Sequence, residues 1–195
     1  FITRNYLFRY GTGIQGAIIC GTGSQPGVVV KFSRALAAFQ GLLLGEKHTA
    51  KLIDKLAFGN YNKQVEKQRT SFDWLCRDEA VVDAYIADEL CGFIFTVNGF
   101  RTLFTLLDRL NKEENLKKMP ETLPVLFIAG EKDPVGNYGE GVKKAFRDFQ
   151  KAGLTTLSMK LYPEDRHELL NELDKEKVYE DIYSWILERI KEYQL

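Results

Sequence analysis

Two side chains that could exchange a proton each follow a predicted strand. Asp133 comes just after the apolar run of residues 123–129, and His167 follows the strand predicted for residues 156–161. A carboxylate that accepts a hydrogen bond from one imidazole nitrogen fixes the tautomer and leaves the other nitrogen free to act as a base. The alternative role of Asp133 is to form a turn before Pro134. The sequence therefore makes Asp133 and His167 the candidate catalytic pair.

The elements around this pair predict that its two members meet. The run at residues 123–129 is apolar at every position, which is typical of a parallel strand covered on both faces. An amphipathic helix predicted for residues 140–152 then separates it from the second strand. Strand, helix and strand in this order form a right-handed unit with parallel strands. The carboxyl ends of both strands, and the loops after them, therefore share one edge of the sheet, where α/β proteins bind ligands.

Other candidates carry weaker signals. Glu131 and Asp165 flank the pair and could replace Asp133, but Glu131 lies too close to the glycine turn and Asp165 lacks the strand-end position. His48 is interpreted as a solvated loop residue. Four aromatic residues either line an acyl pocket or belong to the core, and they are Phe93, Phe95, Phe100 and Phe104.

Composition excludes several classes of function. The 27 basic and 27 acidic residues give no net charge that would favour nucleic acid or an anionic membrane. Cys20, Cys76 and Cys91 form neither a metal-binding pair nor an even disulfide set, which predicts a cytoplasmic protein without a metal site. We find no signal peptide and predict no integral membrane segment.

The chain divides into two kinds of sequence. Residues 1–25 and 120–195 show the alternation of strands and helices expected for an α/β core, whereas residues 26–119 show none and predict a helical insertion. Helices are expected at residues 28–44 and 49–58, with Ser71 or Asp78 capping further helices around Trp74 and residues 81–86. Such insertions over the carboxyl edge of a sheet commonly act as lids, and ordinary helical core is the alternative.

Two segments carry a resemblance to a known family. Residues 130–136 (Gly-Glu-Lys-Asp-Pro-Val-Gly) and residues 166–172 (Arg-His-Glu-Leu-Leu-Asn-Glu) resemble the acid and histidine segments of serine α/β-hydrolases. The nearest branch contains monoacylglycerol lipases, lysophospholipases and serine aminopeptidases, and the insertion is similar to the cap of bacterial members. The resemblance implies the C-terminal part of an α/β-hydrolase fold, with a helical cap over a parallel sheet flanked by helices. It also implies an acyl ester or lipid substrate and no cofactor.

The nucleophile of that family is missing from these residues. No Gly-x-Ser-x-Gly elbow occurs, and every serine lies outside such a context: Ser24, Ser33, Ser71, Ser158 and Ser184. The family order implies that the helix of residues 1–10 leaves the elbow, so that the serine and further strands lie upstream of Phe1. Residues 1–195 alone are then expected to be inactive, and an unpaired sheet edge allows self-association.

Three alternatives remain open. The same fold could carry aminopeptidase activity. It could instead place an aspartate at the elbow, as haloalkane dehalogenases and epoxide hydrolases do. A non-catalytic binding module descended from a hydrolase is the third, and the retained Asp133 and His167 argue against it.

Overall fold

A parallel sheet of three strands forms the centre of the computed structural model, which describes residues 1–193. The strands are β1 (Ala17–Cys20), β2 (Val125–Gly130) and β3 (Leu157–Tyr162), in the order β1-β2-β3. Ala17 pairs with Val125, which pairs on its other side with Leu157. The predicted parallel arrangement of the last two strands is confirmed, and all three carboxyl ends point to one edge.

Eight α-helices surround this sheet within the described residues. One precedes β1, five lie between β1 and β2, one connects β2 to β3, and one follows β3. They are α1 (Ile2–Tyr10), α2 (Gly27–Leu44), α3 (Lys51–Phe58), α4 (Glu79–Ala87), α5 (Val97–Leu110), α6 (Glu113–Leu116), α7 (Glu140–Lys151) and α8 (Lys175–Tyr193).

Helices cover both faces of β2, as its continuous apolar sequence predicted. All six of its residues are buried, and Phe127 packs edge-on against Phe149 of α7. The other face of the strand contributes Leu126 and Ile128 to a second cluster, which Val178 of α8 completes. Alternate side chains of one strand thus enter two separate cores.

The helices between β1 and β2 pack on the same core as the sheet. Val30 and Ala37 are the buried residues of α2, which lies against α5. Phe100 and Phe104 of α5 belong to the cluster that also contains Phe127. Helices α2 and α3 lie close to the helices predicted for residues 28–44 and 49–58, while the treatment of residues 26–119 as a separate insertion stays a prediction.

Helix α2 is unusual because most of it is exposed. By length and composition it is apolar enough to cross a membrane, with 11% of that stretch buried, a feature that the sequence analysis did not recognise. The core helix of a soluble protein can have the same length and apolar composition. Its packing on α5 and α3 ties α2 to the fold, together with the ion pair between Arg34 and Asp108 at 2.7 Å.

The segment before α4 differs from the sequence prediction. We expected a helix around Trp74, but residues 71–78 form turns and bends. Asp78 does cap α4, because its carboxylate accepts a hydrogen bond from the backbone of Ala80 at 3.0 Å. Ser71 caps no helix. The irregular path matters because it carries Trp74 and Arg77 to the site described next.

Candidate active site

Asp133 lies in the first turn after β2 and is fully buried. One carboxylate oxygen, Oδ1, accepts a hydrogen bond from the backbone N–H of Val135 at 2.8 Å. The other, Oδ2, lies 3.0 Å from Nδ1 of His167. Two neighbouring loops therefore bring the predicted pair together, with the carboxylate held from both sides.

The imidazole of His167 has three neighbours besides solvent. Asp133 lies on its Nδ1 side, and the ring of Trp74 lies 5.4 Å away between centroids. Gly21, at the end of β1, completes the setting with φ +60°, and a Cβ there would lie 3.1 Å from Cε1 of His167. When Nδ1 carries the proton donated to Asp133, Nε2 is a free acceptor, as a general base requires.

The loops after β2 and β3 are joined by backbone contacts. The N–H groups of Glu131 and Lys132 donate to the carbonyl oxygens of Tyr162 and Asp165, at 2.8 and 2.9 Å. This approach requires glycine at position 130, because a Cβ there would lie 2.0 Å from the Asp165 carbonyl oxygen. The distance between the two candidate residues is thus set by the main chain.

Asp165, an alternative to Asp133 in the sequence analysis, has a different partner. Its carboxylate is buried and lies 2.5 Å from the guanidinium of Arg77, which also contacts Glu172 at 2.8 Å and Asp174. Burial, with the charge of Glu172, raises the pKa of Asp165 to about 7, although Arg77 acts in the opposite direction. Glu131, the other alternative, is exposed, and so is His48.

The carboxylates of Asp165, Glu172 and Asp174 are close enough together to hold a metal ion. Their ligand oxygens all lie within 4.8 Å of one another. The guanidinium of Arg77, however, contacts all three carboxylates and supplies the positive charge there. The cluster is therefore an ion-pair network between the loop after β3 and the segment before α4.

The cavities near the candidate pair differ in their lining. An apolar groove of about 330 Å³ lies among α2, α3 and α5, and Val135 of the Asp133 loop reaches it. A larger and more polar cavity of about 800 Å³ is lined by Trp74 and residues 90–95. Phe58 lines both cavities.

The four predicted substrate-binding phenylalanines occupy different environments. Phe104 lines the apolar groove, and Phe93 and Phe95 line the larger cavity. Phe100 is 0% exposed and belongs to the core. Their rings nevertheless form one series, with neighbouring centroids 5.5 to 5.7 Å apart.

Comparison with known proteins assigns the chain to a family. Residues 1–174 match the family model described as serine aminopeptidase, S33. The chain belongs to this family. The fold is accordingly that of an α/β hydrolase, and the family consists of hydrolases. No curated protein sequence matches the chain.

Solved structures agree with this assignment. A carboxyl esterase from Bacillus coagulans is 27% identical over 97% of this chain and 61% of its own, with a TM-score of 0.85. The monoglyceride lipase of Saccharomyces cerevisiae is 17% identical, over 96% of this chain and 58% of its own, with a TM-score of 0.63. The monoacylglycerol lipase of Paleococcus ferrophilus is 16% identical, over 96% of this chain and 64% of its own, with a TM-score of 0.65. The chain thus spans about three fifths of their length.

A serine hydrolase of this family needs a nucleophile beside the free imidazole nitrogen. Within residues 1–193, no serine or cysteine side chain hydrogen-bonds to His167. The buried thiol of Cys76 is a poor substitute, because burial raises its pKa to about 11 and keeps it protonated.

Sequence reasoning missed two residues beside the candidate catalytic pair. Trp74 and Arg77 lie in an irregular segment, and the ion pairs of Arg77 join residues 88 to 97 positions apart. No periodic pattern marks such residues. The only available signal was chemical: a tryptophan and an arginine in a stretch with no predicted apolar face.

Proposed function

We propose that residues 1–195 form the C-terminal part of a serine ester hydrolase, with Asp133 and His167 as two members of its catalytic triad. The contact of 3.0 Å between Asp133 Oδ2 and His167 Nδ1 carries the proposal, because it joins the two loops where this family places its acid and base. The third member, a serine in a Gly-x-Ser-x-Gly elbow, is proposed to lie upstream of Phe1.

The proposed reaction is acyl transfer in two steps. Nε2 of His167 takes the proton from the serine hydroxyl as its oxygen attacks the ester carbonyl carbon. The same nitrogen then returns that proton to the departing alkoxide, which leaves as the alcohol, and an acyl-enzyme remains. Water repeats the sequence and releases the acid. Asp133 stabilises the imidazolium that forms in each step.

An apolar acyl group is the proposed substrate feature. The groove among α2, α3 and α5 has apolar walls and reaches Val135, two residues from Asp133. Phe104 is the member of the phenylalanine series that would line this subsite. Monoacylglycerols, lysophospholipids and simple esters are the proposed substrate classes, and a reducing, cytoplasmic location agrees with three free cysteines.

A fluorophosphonate probe tests the proposal, since it labels only an activated serine. In the whole protein, we expect labelling at a serine outside residues 1–195. His167→Ala should slow labelling by on the order of 100-fold or more, the usual value of a general base. His48→Ala is the matched control, because His48 is the other histidine of the chain and is exposed.

Two outcomes would overturn the assignment. One is the absence of labelling in the folded whole protein. The other is hydrolysis of a p-nitrophenyl ester by residues 1–195 alone that survives His167→Ala, since the proposal assigns no nucleophile to them.

Aminopeptidase activity is the second candidate, because the family description names it. It uses the same triad on an amide, so the labelling experiment does not separate the two. Parallel assays with a p-nitrophenyl ester and an aminoacyl p-nitroanilide do. We expect the ester to be the better substrate, because the groove beside Val135 is lined mainly by apolar side chains rather than by carboxylates that would bind an α-ammonium group.

A further inference from the structure

The segment of residues 73–78, here called the bridging segment, contacts the loop that carries the candidate histidine. It runs between a short 3-10 helix at Tyr61–Gln64 and α4, and it has no regular structure of its own. The loop of residues 163–172, here called the histidine loop, follows β3. Arg77 of the bridging segment donates hydrogen bonds to the histidine loop, and Arg166 of the histidine loop donates hydrogen bonds to the bridging segment.

Arg77 makes the contacts from the bridging segment. Its Nε donates to Glu172 Oε2 at 2.8 Å, and its Nη2 donates to Asp165 Oδ1 at 2.5 Å. The backbone N–H of Arg77 also lies 3.2 Å from both oxygens of Glu172. Glu172 is 0% exposed. A buried carboxylate needs hydrogen bonds or a cation, and Arg77 gives Glu172 both, in addition to the backbone N–H of Arg166 at 2.8 Å.

From the histidine loop, the residues on either side of His167, Arg166 and Glu168, donate hydrogen bonds to the bridging segment. Arg166 donates from Nη1 to the carbonyl oxygens of Asp73 and Cys76, at 2.6 and 3.0 Å. The backbone N–H of Glu168 donates to the carbonyl oxygen of Leu75 at 2.7 Å. The residues before and after His167 are therefore both bound to the bridging segment.

The bridging segment also contacts the imidazole directly, through Trp74. The ring of His167 is consequently in contact with both Asp133 and Trp74. A shift of the bridging segment would move the backbone on both sides of His167 together with the aromatic ring against it.

We propose that Arg77 is a positioning residue that, through Glu172 and Asp165, holds the histidine loop and Trp74 so that Nδ1 of His167 stays on Asp133. The proposal rests on the proposed function for its catalytic consequence, but its geometric content does not. Removing the guanidinium leaves Glu172 with backbone hydrogen bonds but no cation, and we expect the histidine loop to loosen so that water can reach the carboxylate.

The closing experiment follows Trp74 by ¹⁹F NMR in the whole protein labelled with 5-fluorotryptophan. The Trp74 resonance is the one lost in Trp74→Phe. The chemical shift of this resonance is followed as the pH is varied. Because the two rings are in contact, protonation of His167 should change that chemical shift in one step, which His167→Gln abolishes. We expect Arg77→Met to reduce the step to less than half. EDTA is present throughout, so that a metal ion cannot replace the guanidinium.

Arg69→Met is the matched control. Arg69 also comes from the insertion and pairs with two carboxylates, Asp83 and Glu79, but on the exposed surface. It should leave the step within 10 to 20% of the parent, by the small effect expected of surface pairs. Arg77→Lys keeps the charge but loses the planar fork, so it should restore only part of the step.

A second pair of variants covers the case in which Arg77→Met fails to fold. Glu172→Gln keeps the size of the side chain and weakens its bond to Arg77, and it should also reduce the step. Glu164→Gln, at an exposed position of the same loop, should not. A full step in folded Arg77→Met or in Glu172→Gln overturns the proposal, as does an equal loss in Arg69→Met.

Labelling by the fluorophosphonate probe separates this inference from the proposed function. If both hold, Arg77→Met slows labelling by about 10-fold or more, as small misplacements of catalytic groups do, and Arg69→Met does not. If the parent protein does not label at all, the proposed function fails, and the ¹⁹F result still decides the role of Arg77.

Discussion

The charge of Asp133 is stabilised without a cation. Its carboxylate is fully buried, yet one oxygen accepts a backbone N–H and the other faces an imidazole. Hydrogen bonds to the charged form are what make a buried carboxylate tolerable. Asp165, also buried, instead depends on Arg77. Asp133 and Asp165 are thus held by different means, and of these two only Asp133, which has no cation, is available to orient a base.

Asp165 should make the stability of the protein depend on pH. Its pKa in the fold is raised from 3.8 to about 7, chiefly by burial. The folded state therefore binds a proton more tightly than the unfolded chain does. This contribution to the free energy of unfolding is complete below about pH 4 and is lost as the pH rises through about 7. Urea unfolding from pH 5 to pH 8 should show parent stability falling relative to Asp165→Asn.

Asp181→Asn provides a control whose pH dependence lies below the measured range, so the difference between parent and variant should stay constant from pH 5 to pH 8. Desolvation acts to raise the pKa of Asp181, but hydrogen bonds from Lys160 and Tyr162 outweigh it and lower the pKa. Its contribution is therefore present above the ordinary pKa of 3.8 and is lost as the pH falls. A parent stability that rises relative to Asp165→Asn between pH 5 and pH 8 would contradict the Asp165 prediction.

Among the structural elements, the meeting of the loops after β2 and β3 is the tightest feature of the site. A Cβ at Gly130 would lie 2.0 Å from the carbonyl oxygen of Asp165 and 2.3 Å from that of Arg166. Both obstacles are backbone atoms, so no side-chain rotation can relieve the clash. We expect Gly130→Ala to lower the free energy of unfolding by roughly 2 kcal/mol or more, in the upper range of overpacking, as measured by urea unfolding.

Gly27→Ala is the control for that substitution. Gly27 begins α2, and a Cβ there meets nothing within 4 Å. The free energy of unfolding should stay the same or rise by up to about 1 kcal/mol, because alanine is the better helix former. Equal losses for the two alanine variants would show that the close approach of the loops is not what constrains Gly130.

Sequence reasoning succeeded where a periodic pattern or chain order carried the information. The apolar run of β2 predicted burial on both faces, and the order of strand, helix and strand predicted that the loops of Asp133 and His167 converge. It failed in the irregular segment before α4, where a helix was predicted around Trp74. The contacts of that segment are long-range ion pairs and ring contacts, which leave no local pattern to read.

At the scale of the whole molecule, the insertion has two parts with different attachments. The bridging segment is bound to the histidine loop by the ion pairs and hydrogen bonds of Arg77 and Arg166. Helix α2 instead packs on α5 and exposes most of its length.

The exposed face of α2 should cause self-association. Phe39 and Leu42 are 59% and 86% exposed, and Val28, Phe32 and Leu43 extend the apolar surface. Contiguous apolar surface of this kind marks interaction sites or aggregation.

In sedimentation velocity at two concentrations, the parent chain should show a concentration-dependent increase in mass that Phe39→Lys with Leu42→Lys reduces. Leu90→Lys, at a position outside α2 that is 82% exposed, should leave it unchanged. If the double variant associates as strongly as the parent, the contact lies elsewhere, and the edges formed by β1 and β3 within residues 1–193 are the surfaces to alter next.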